Sequence, residues 1–264
     1  MVLKRLFSRS EQKEPRVWQA PAGQRLYAIG DIHGRLDLLD ELLAKIDADD
    51  AARGAVGETR LILLGDLVDR GPDSRGVIER VMGLMAASSH VTCLKGNHEE
   101  LLIRSWEGDR KTAGVFNRNG GRETMLSYGV DAEAYDAADL GGLVDLVGSH
   151  VPPQHIAFLD SLADWVQAGD YLFVHAGIRP GVALDQQSAS EMRWIRGEFT
   201  ENRSDLGMMV IHGHTITECA DEQVNRIGID TGAYATGNLT AIGLEGSDRW
   251  FLETGARPAI KAPA

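Results

Sequence analysis

The chain has 264 residues, 43% hydrophobic and 25% charged, enough for the core of one sizeable globular domain and unlike a low-complexity or collagen-like polymer. Lys and Arg number 27 against 39 Asp and Glu, and the formal net charge of -12 excludes broad electrostatic adhesion to nucleic acid or an anionic membrane. Two cysteines, Cys93 and Cys219, make no disulfide-dense scaffold, and no apolar run has the length of a signal-peptide core or membrane span, so a cytoplasmic chain is expected.

Residues 1–24 are polar, contain Pro15 and Pro21 and show no clean period; they read as a flexible arm before one catalytic domain at 25–254 and a tail at 255–264. Leu26-Tyr27-Ala28-Ile29 predicts a first buried strand. Leu36, Leu39, Leu42, Leu43 and Ile46 predict an amphipathic helix from Arg35 to about Asp47, and a second strand begins at Arg60. This βαβ order predicts parallel pairing. Pro72 and Asp73 or Ser74 then start a helix with Val77, Ile78, Val81, Leu84 and Met85 on its apolar face, followed by a strand at Val91 and a helix over Glu99–Trp106.

From 107 to 170, glycines punctuate short helical pieces, and Pro152-Pro153 precedes a helix expected to run through Trp165. So long a segment is expected to act as a lid or substrate-selecting wall. Further strands are predicted at Tyr171–Val174, Met208–Ile211, Arg226–Ile229, Leu239–Leu244 and Arg249–Leu252. The fold class is α/β: two mixed β-sheets packed as a sandwich and flanked by helices.

Five of the strand-length runs stop at polar residues beside glycine. The stops are Gly30-Asp31-Ile32-His33-Gly34, Gly65-Asp66-Leu67-Val68-Asp69-Arg70-Gly71, Gly96-Asn97-His98-Glu99, His175-Ala176-Gly177 and His212-Gly213-His214. Open α/β sheets bind ligands at such carboxyl edges. Asp31, His33, Asp66, Asn97, His175 and at least one of His212 and His214 offer oxygen and imidazole donors without a thiolate, which favours manganese, iron or zinc. So many donors exceed what one tetrahedral ion uses, and two divalent ions sharing a carboxylate would use them all.

Such a pair would make hydroxide available near neutral pH, while Arg70 and Arg196 clamp a phosphate and His98, oriented by Asp69, protonates the leaving group. The reaction expected is hydrolysis of a phosphate ester.

Together these motifs, spanning roughly residues 25 to 245, resemble the ordered motifs of the phosphoprotein phosphatase family of metallophosphoesterases. The resemblance implies Asp31 and His33 on one metal, Asp66 bridging, and Asn97, His175 and His214 on the other, with attack by a hydroxide bridging the two ions. It also implies phosphate contacts from Arg70, Asn97, His98 and the arginine of Trp194-Ile195-Arg196, spacing alone leaving Arg193 open. Asn119-Gly120-Gly121 and Ile229-Asp230-Thr231-Gly232-Ala233 resemble the compact bacterial members, which include protein phosphatases and symmetrical dinucleoside tetraphosphate hydrolases. Phosphoserine or phosphothreonine in a protein is the first substrate expected, phosphotyrosine a further one, and a dinucleoside tetraphosphate the alternative. Asn119-Gly120-Gly121 itself reads first as a helix terminator and second as a wall of the cleft.

Overall fold

The computed structural model describes residues 16–255. Its strands are β1 (Gln24–Ile29), β2 (Glu58–Leu63), β3 (Val91–Cys93), β4 (Trp165–Ala168), β5 (Tyr171–Val174), β6 (Met209–His212), β7 (Asp221–Glu222), β8 (Arg226–Gly228), β9 (Thr240–Glu245) and β10 (Asp248–Glu253). They form two mixed sheets, ordered β10-β9-β1-β2-β3 and β4-β5-β6-β8-β7. The parallel pair β1–β2 matches the βαβ expectation, and β2–β3, β5–β6 and β6–β8 are parallel as well.

Side-chain alternation along the strands builds three cores. Leu26, Ala28, Ile62, Leu64, Ile242 and Leu244 of the first sheet pack with Tyr171, Phe173, Met209, Ile211 and Ile227 of the second, so the sheets face each other. Tyr27, Ile29 and Leu63 point the other way, against the helices α1 (Leu36–Arg53), α2 (Ser74–Ala87) and α3 (Asn97–Trp106). The helices α4 (Arg110–Phe116), α5 (Arg122–Ser127), α6 (Ala132–Asp136), α7 (Leu140–His150) and α8 (Pro153–Asp160) continue this outer layer. On the far side, Leu172, Val174 and Val210 pack on Met192 of α9 (Ala189–Trp194) and Phe199 of α10 (Gly197–Thr200). A short α11 (Ala233–Thr236) follows β8.

Besides α1, which runs on to Arg53 where an end near Asp47 was expected, two stretches differ from the sequence reading. The helix after Pro152-Pro153 ends at Asp160, and Trp165 opens β4, which pairs antiparallel with β5. Its alternating exposure is that of an edge strand, and sheet pairing overrides helical spacing there. The first fifteen residues of the expected arm lie outside the described chain, but Trp18 and Ala20 are buried in the inter-sheet core and the Ala20 N–H donates to Gly246 O. Burial of an indole and pairing of its neighbours hold this stretch against the domain.

Candidate metal centre

All the motif residues lie just past the carboxyl ends of the parallel strands: Asp31 and His33 after β1, Asp66, Asp69 and Arg70 after β2, Asn97 and His98 after β3, His175 after β5 and His214 after β6. Parallel pairing aligns these ends, so residues far apart in sequence meet at one edge. The turns are tight. His33, Asp66, Asp69, Arg70 and His214 have φ between 47 and 73°, and among the described residues no other non-glycine has positive φ. Left-handed backbone costs such residues of order 1 to 3 kcal/mol each, and its confinement to this edge marks strain held for a purpose.

Two trios of donors share one carboxylate. His33, Asp66 and His98 form the first, and Asp66, His175 and His214 the second, all buried. His175 Nδ1 donates to Leu64 O at 2.9 Å, which leaves the Nε2 lone pair facing Asn97 Oδ1 at 3.0 Å and Asp66 Oδ1 at 3.4 Å. Three lone pairs so close repel one another unless a cation lies among them. His33 is fixed the same way, Nδ1 donating to Val68 O at 2.7 Å and Nε2 facing Asp66 Oδ2 at 3.6 Å. A backbone carbonyl on the far nitrogen is the usual support of a metal-ligating imidazole. His214 Nε2 is buried without a hydrogen-bond partner. These residues therefore fit divalent ions.

The electrostatics agree. Burial pushes the imidazoles of His33 and His175 down, and that of His214 down to about 3, so all three are neutral at pH 7, the form that ligates metal. The Asp66 pKa is lowered too: burial opposes its charge, but the histidines around it outweigh burial, and of these His98, with its raised pKa, is the one suited to carry the compensating charge. Asp31 is raised well above the usual carboxylate range by burial and by the charges of Asp230 and Asp66. Asp31 lies in neither trio; its carboxylate accepts from the backbone N–H of His214 at 3.0 Å.

His98 is the exception among the site imidazoles. Burial lowers it, yet the charges of Asp66 and Asp69 win and its pKa rises. Its Nδ1 meets Asp69 Oδ2 at 2.6 Å, and Arg70 spans Nε2 of His98 at 3.0 Å and Nε2 of His33 at 2.9 Å. Asp69 is itself held by Thr124, whose hydroxyl donates to Oδ1 at 2.6 Å.

Arg193 and Arg196 separate in space. Arg193 pairs with Glu100 at 3.3 Å and Asp164 at 3.7 Å and lowers His175 by its charge, whereas Arg196 is exposed, ion-paired to nothing among the described residues, and lowers His214 by its charge. His212 sits behind the edge, packed on Phe199 and in contact with Arg226 at 3.2 Å.

The sequence reading assigned no role to Glu99, Asp230, Thr124 or Tyr234. Glu99 accepts the backbone N–H groups of Asp66, Leu67 and Gly96 and ties two motif turns together. Asp230, pushed up to about 6 chiefly by burial, lies beside Asp31. Both stand inside quoted motifs, where a signal was available; Thr124, 55 positions from Asp69, gave none. The helical backbone breaks at Asn119 and Gly120, as the terminator reading expects, and the Gly120 carbonyl accepts from Arg70 N at 3.0 Å, which brings this turn against the site.

The family model for calcineurin-like phosphoesterases matches residues 24–227. A symmetrical bis(5'-nucleosyl)-tetraphosphatase of Delftia acidovorans is 32% identical over 66% of this chain and 50% of its own length, so the chain spans about half of that relative. One from Neisseria gonorrhoeae is 27% identical over 83% of this chain and 92% of its own. Among solved structures, one described as a candidate diadenosine tetraphosphatase superposes with a TM-score of 0.60 at 22% identity, over 89% of this chain and 96% of that one. A cold-active protein-tyrosine phosphatase of Shewanella superposes with a TM-score of 0.54 at 19% identity, over 89% and 83%. Both structures share the fold. With its motif turns gathered at one sheet edge and most of its length matched, the chain belongs to the calcineurin-like phosphoesterase family, as a metallophosphoesterase.

Proposed function

We propose that the protein hydrolyses dinucleoside tetraphosphates symmetrically, with two divalent ions, manganese first, held around Asp66. The observation that carries the metal-centred chemistry is the sharing of Asp66 between two buried donor trios. The substrate follows the names of the relatives, which favour the alternative of the sequence reading over phosphoserine or phosphothreonine. His33 and Asp31 would hold one ion, and His175, Asn97 and His214 the other. When bound, the ions supply activated water and charge neutralisation.

The chain's own residues do the rest. Arg70 and Arg196 bind non-bridging phosphate oxygens; in turning to the phosphate, Arg70 would leave Nε2 of both His33 and His98, freeing the first to hold a metal and the second to carry a proton. Hydrolysis forms one phosphorus–oxygen bond from water and breaks the bridging one, and the departing nucleoside diphosphate takes its proton from His98 Nε2. Asp69 on Nδ1 fixes the ring and stabilises its charged form. The 107–164 helices, touching Arg70 through Gly120, form a wall of the cleft.

The test is a comparison of kcat/KM on diadenosine tetraphosphate and on a phosphoserine peptide for the manganese-loaded protein. Preference for the dinucleotide by tenfold or more supports the proposal; preference for the peptide overturns it.

A further inference from the structure

The rim of the metal cleft carries aromatic surface that the phosphate chemistry does not use. Trp194 is 38% exposed, with its ring 6.4 Å from that of His214, and its Nε1–H donates to Glu100 Oε2 at 3.1 Å. The indole is thereby held by one edge. Beside it runs a groove of about 310 Å³ lined by Arg179, Trp194, Ile195, Arg196 and Glu198. Arg179 is neutralised there by Glu191 and Glu198, while Arg196 is unpaired among the described residues. The groove thus offers a flat apolar wall, an internally compensated floor and one available cation at the end nearest the metal centre. A second aromatic side chain, Tyr234, lies outside this groove beside the other donor trio, its ring 5.5 Å from that of His33 and 4.9 Å from the Arg70 guanidinium. Ile216, 47% exposed, packs over Gly232 beside it.

We infer that Trp194 and Tyr234 are stacking platforms for the two nucleobases of the substrate, Trp194 with its groove taking one nucleoside and Tyr234 with Ile216 the other. The inference rests on the dinucleoside reading above and adds the residues that recognise the bases. A symmetric cut leaves two phosphates on each side of the broken phosphorus–oxygen bond, so a substrate straddling the centre needs a flat apolar contact at either end. One aromatic lies beside the His33 trio and one beside the His214 trio. On a chain of net charge -12, long-range attraction of a polyanion is weak, and stacking supplies binding that charge does not. Edge-fixed Trp194 also loses little rotamer freedom on binding.

The experiment compares diadenosine tetraphosphate with inorganic tetraphosphate, the same anhydride without bases, in wild type, Trp194→Ala, Trp194→Phe and Tyr234→Leu. Loss of a base–aromatic stack corresponds to about 5- to 150-fold. Trp194→Ala and Tyr234→Leu are each expected to lower kcat/KM on the dinucleotide at least about tenfold more than on tetraphosphate, through KM, with Trp194→Phe recovering most of the loss. Titration with ADP should quench tryptophan fluorescence in wild type, and that quenching should vanish in Trp194→Phe. Equal losses on both substrates, or quenching that persists in Trp194→Phe, overturn the platforms while leaving dinucleotide hydrolysis standing. A wild type that does not cleave the dinucleotide overturns the functional reading, and the platforms with it.

Discussion

Arg70 donates to His33 and His98 at once, Nη1 meeting Nε2 of the first at 2.9 Å and Nη2 meeting Nε2 of the second at 3.0 Å. Its guanidinium thus lies between a nitrogen suited to a metal and one suited to carry a proton. Arg70→Ala should reduce kcat/KM by on the order of 10² to 10³-fold, the loss typical of one preorganised donor to transition-state charge. Because Arg70 competes with a metal for His33, the variant should still bind two manganese ions per chain. Metal analysis and kinetics on one preparation check both; loss of metal along with activity would contradict this separation.

Gly120 makes a second claim on Arg70. Its φ is 98°, and a Cβ there would lie 2.6 Å from Arg70 N and 2.7 Å from its Cγ. Gly120→Ala should therefore displace the arginine and cost about 10²-fold in kcat/KM, as small misplacements of a clamping group do. Kinetics and urea unfolding of the variant test this, and unchanged turnover would show that the wall does not position Arg70.

Leaving-group chemistry separates the roles of His98. A serine alkoxide needs a proton as it departs, whereas a nucleoside diphosphate leaves through a phosphate whose second pKa is about 6. His98→Asn should lower kcat on a phosphoserine peptide by about 10² to 10⁴-fold. On diadenosine tetraphosphate the loss should stay under about tenfold by the same principle. Equal losses on both substrates would assign His98 to the metal site instead. The comparison matters because His98 falls within the first donor trio.

Sequence spacing reached the fold through strand-length runs ending at Asp, Asn or His beside glycine, because parallel strands put such ends in one place. It singled out Asp31, His33, Asp66, Asn97 and His175 for the same reason, whereas the choice of His214 over His212 came from the family resemblance. Telling Arg196 from Arg193 needed coordinates: Arg193 lies in α9 and pairs with Glu100 and Asp164, whereas Arg196 follows the helix and has no ion pair among the described residues. Trp165 was assigned to a helix because its partner strand β5 is a tertiary fact. Thr124 was invisible because a hydroxyl that orients Asp69 across 55 positions has no periodicity. The left-handed backbone at Asp69 and Arg70 was equally hidden, as neither residue type advertises it.

His212 gives a prediction about stability. Burial drives its pKa down from 6.5 to about 4. The unfolded chain then takes up a proton near pH 6.5 that the folded chain refuses until about pH 4, so this group's contribution falls as pH drops through that window. Between pH 7 and pH 5 the loss is about 2 kcal/mol. Urea unfolding of metal-stripped protein should show a pH-dependent loss smaller by about that amount in His212→Gln. An identical loss in both proteins would mean that His212 is already charged in the fold.

Asp66 is the single carboxylate common to both donor trios. Asp66→Asn should lose metal from both positions and reduce turnover by on the order of 10³-fold, in line with several kcal/mol of lost charge stabilisation. Asp69→Asn, which alters only the support of His98, should keep its metal. Metal stoichiometry after gel filtration tells them apart, and full metal content in Asp66→Asn would contradict the shared-carboxylate arrangement.

The most direct measurement is separation of the products when the manganese-loaded protein acts on diadenosine tetraphosphate. Two ADP per substrate, with no ATP or AMP, is the outcome expected. ATP with AMP, or an untouched dinucleotide beside a hydrolysed phosphoserine peptide, would contradict it.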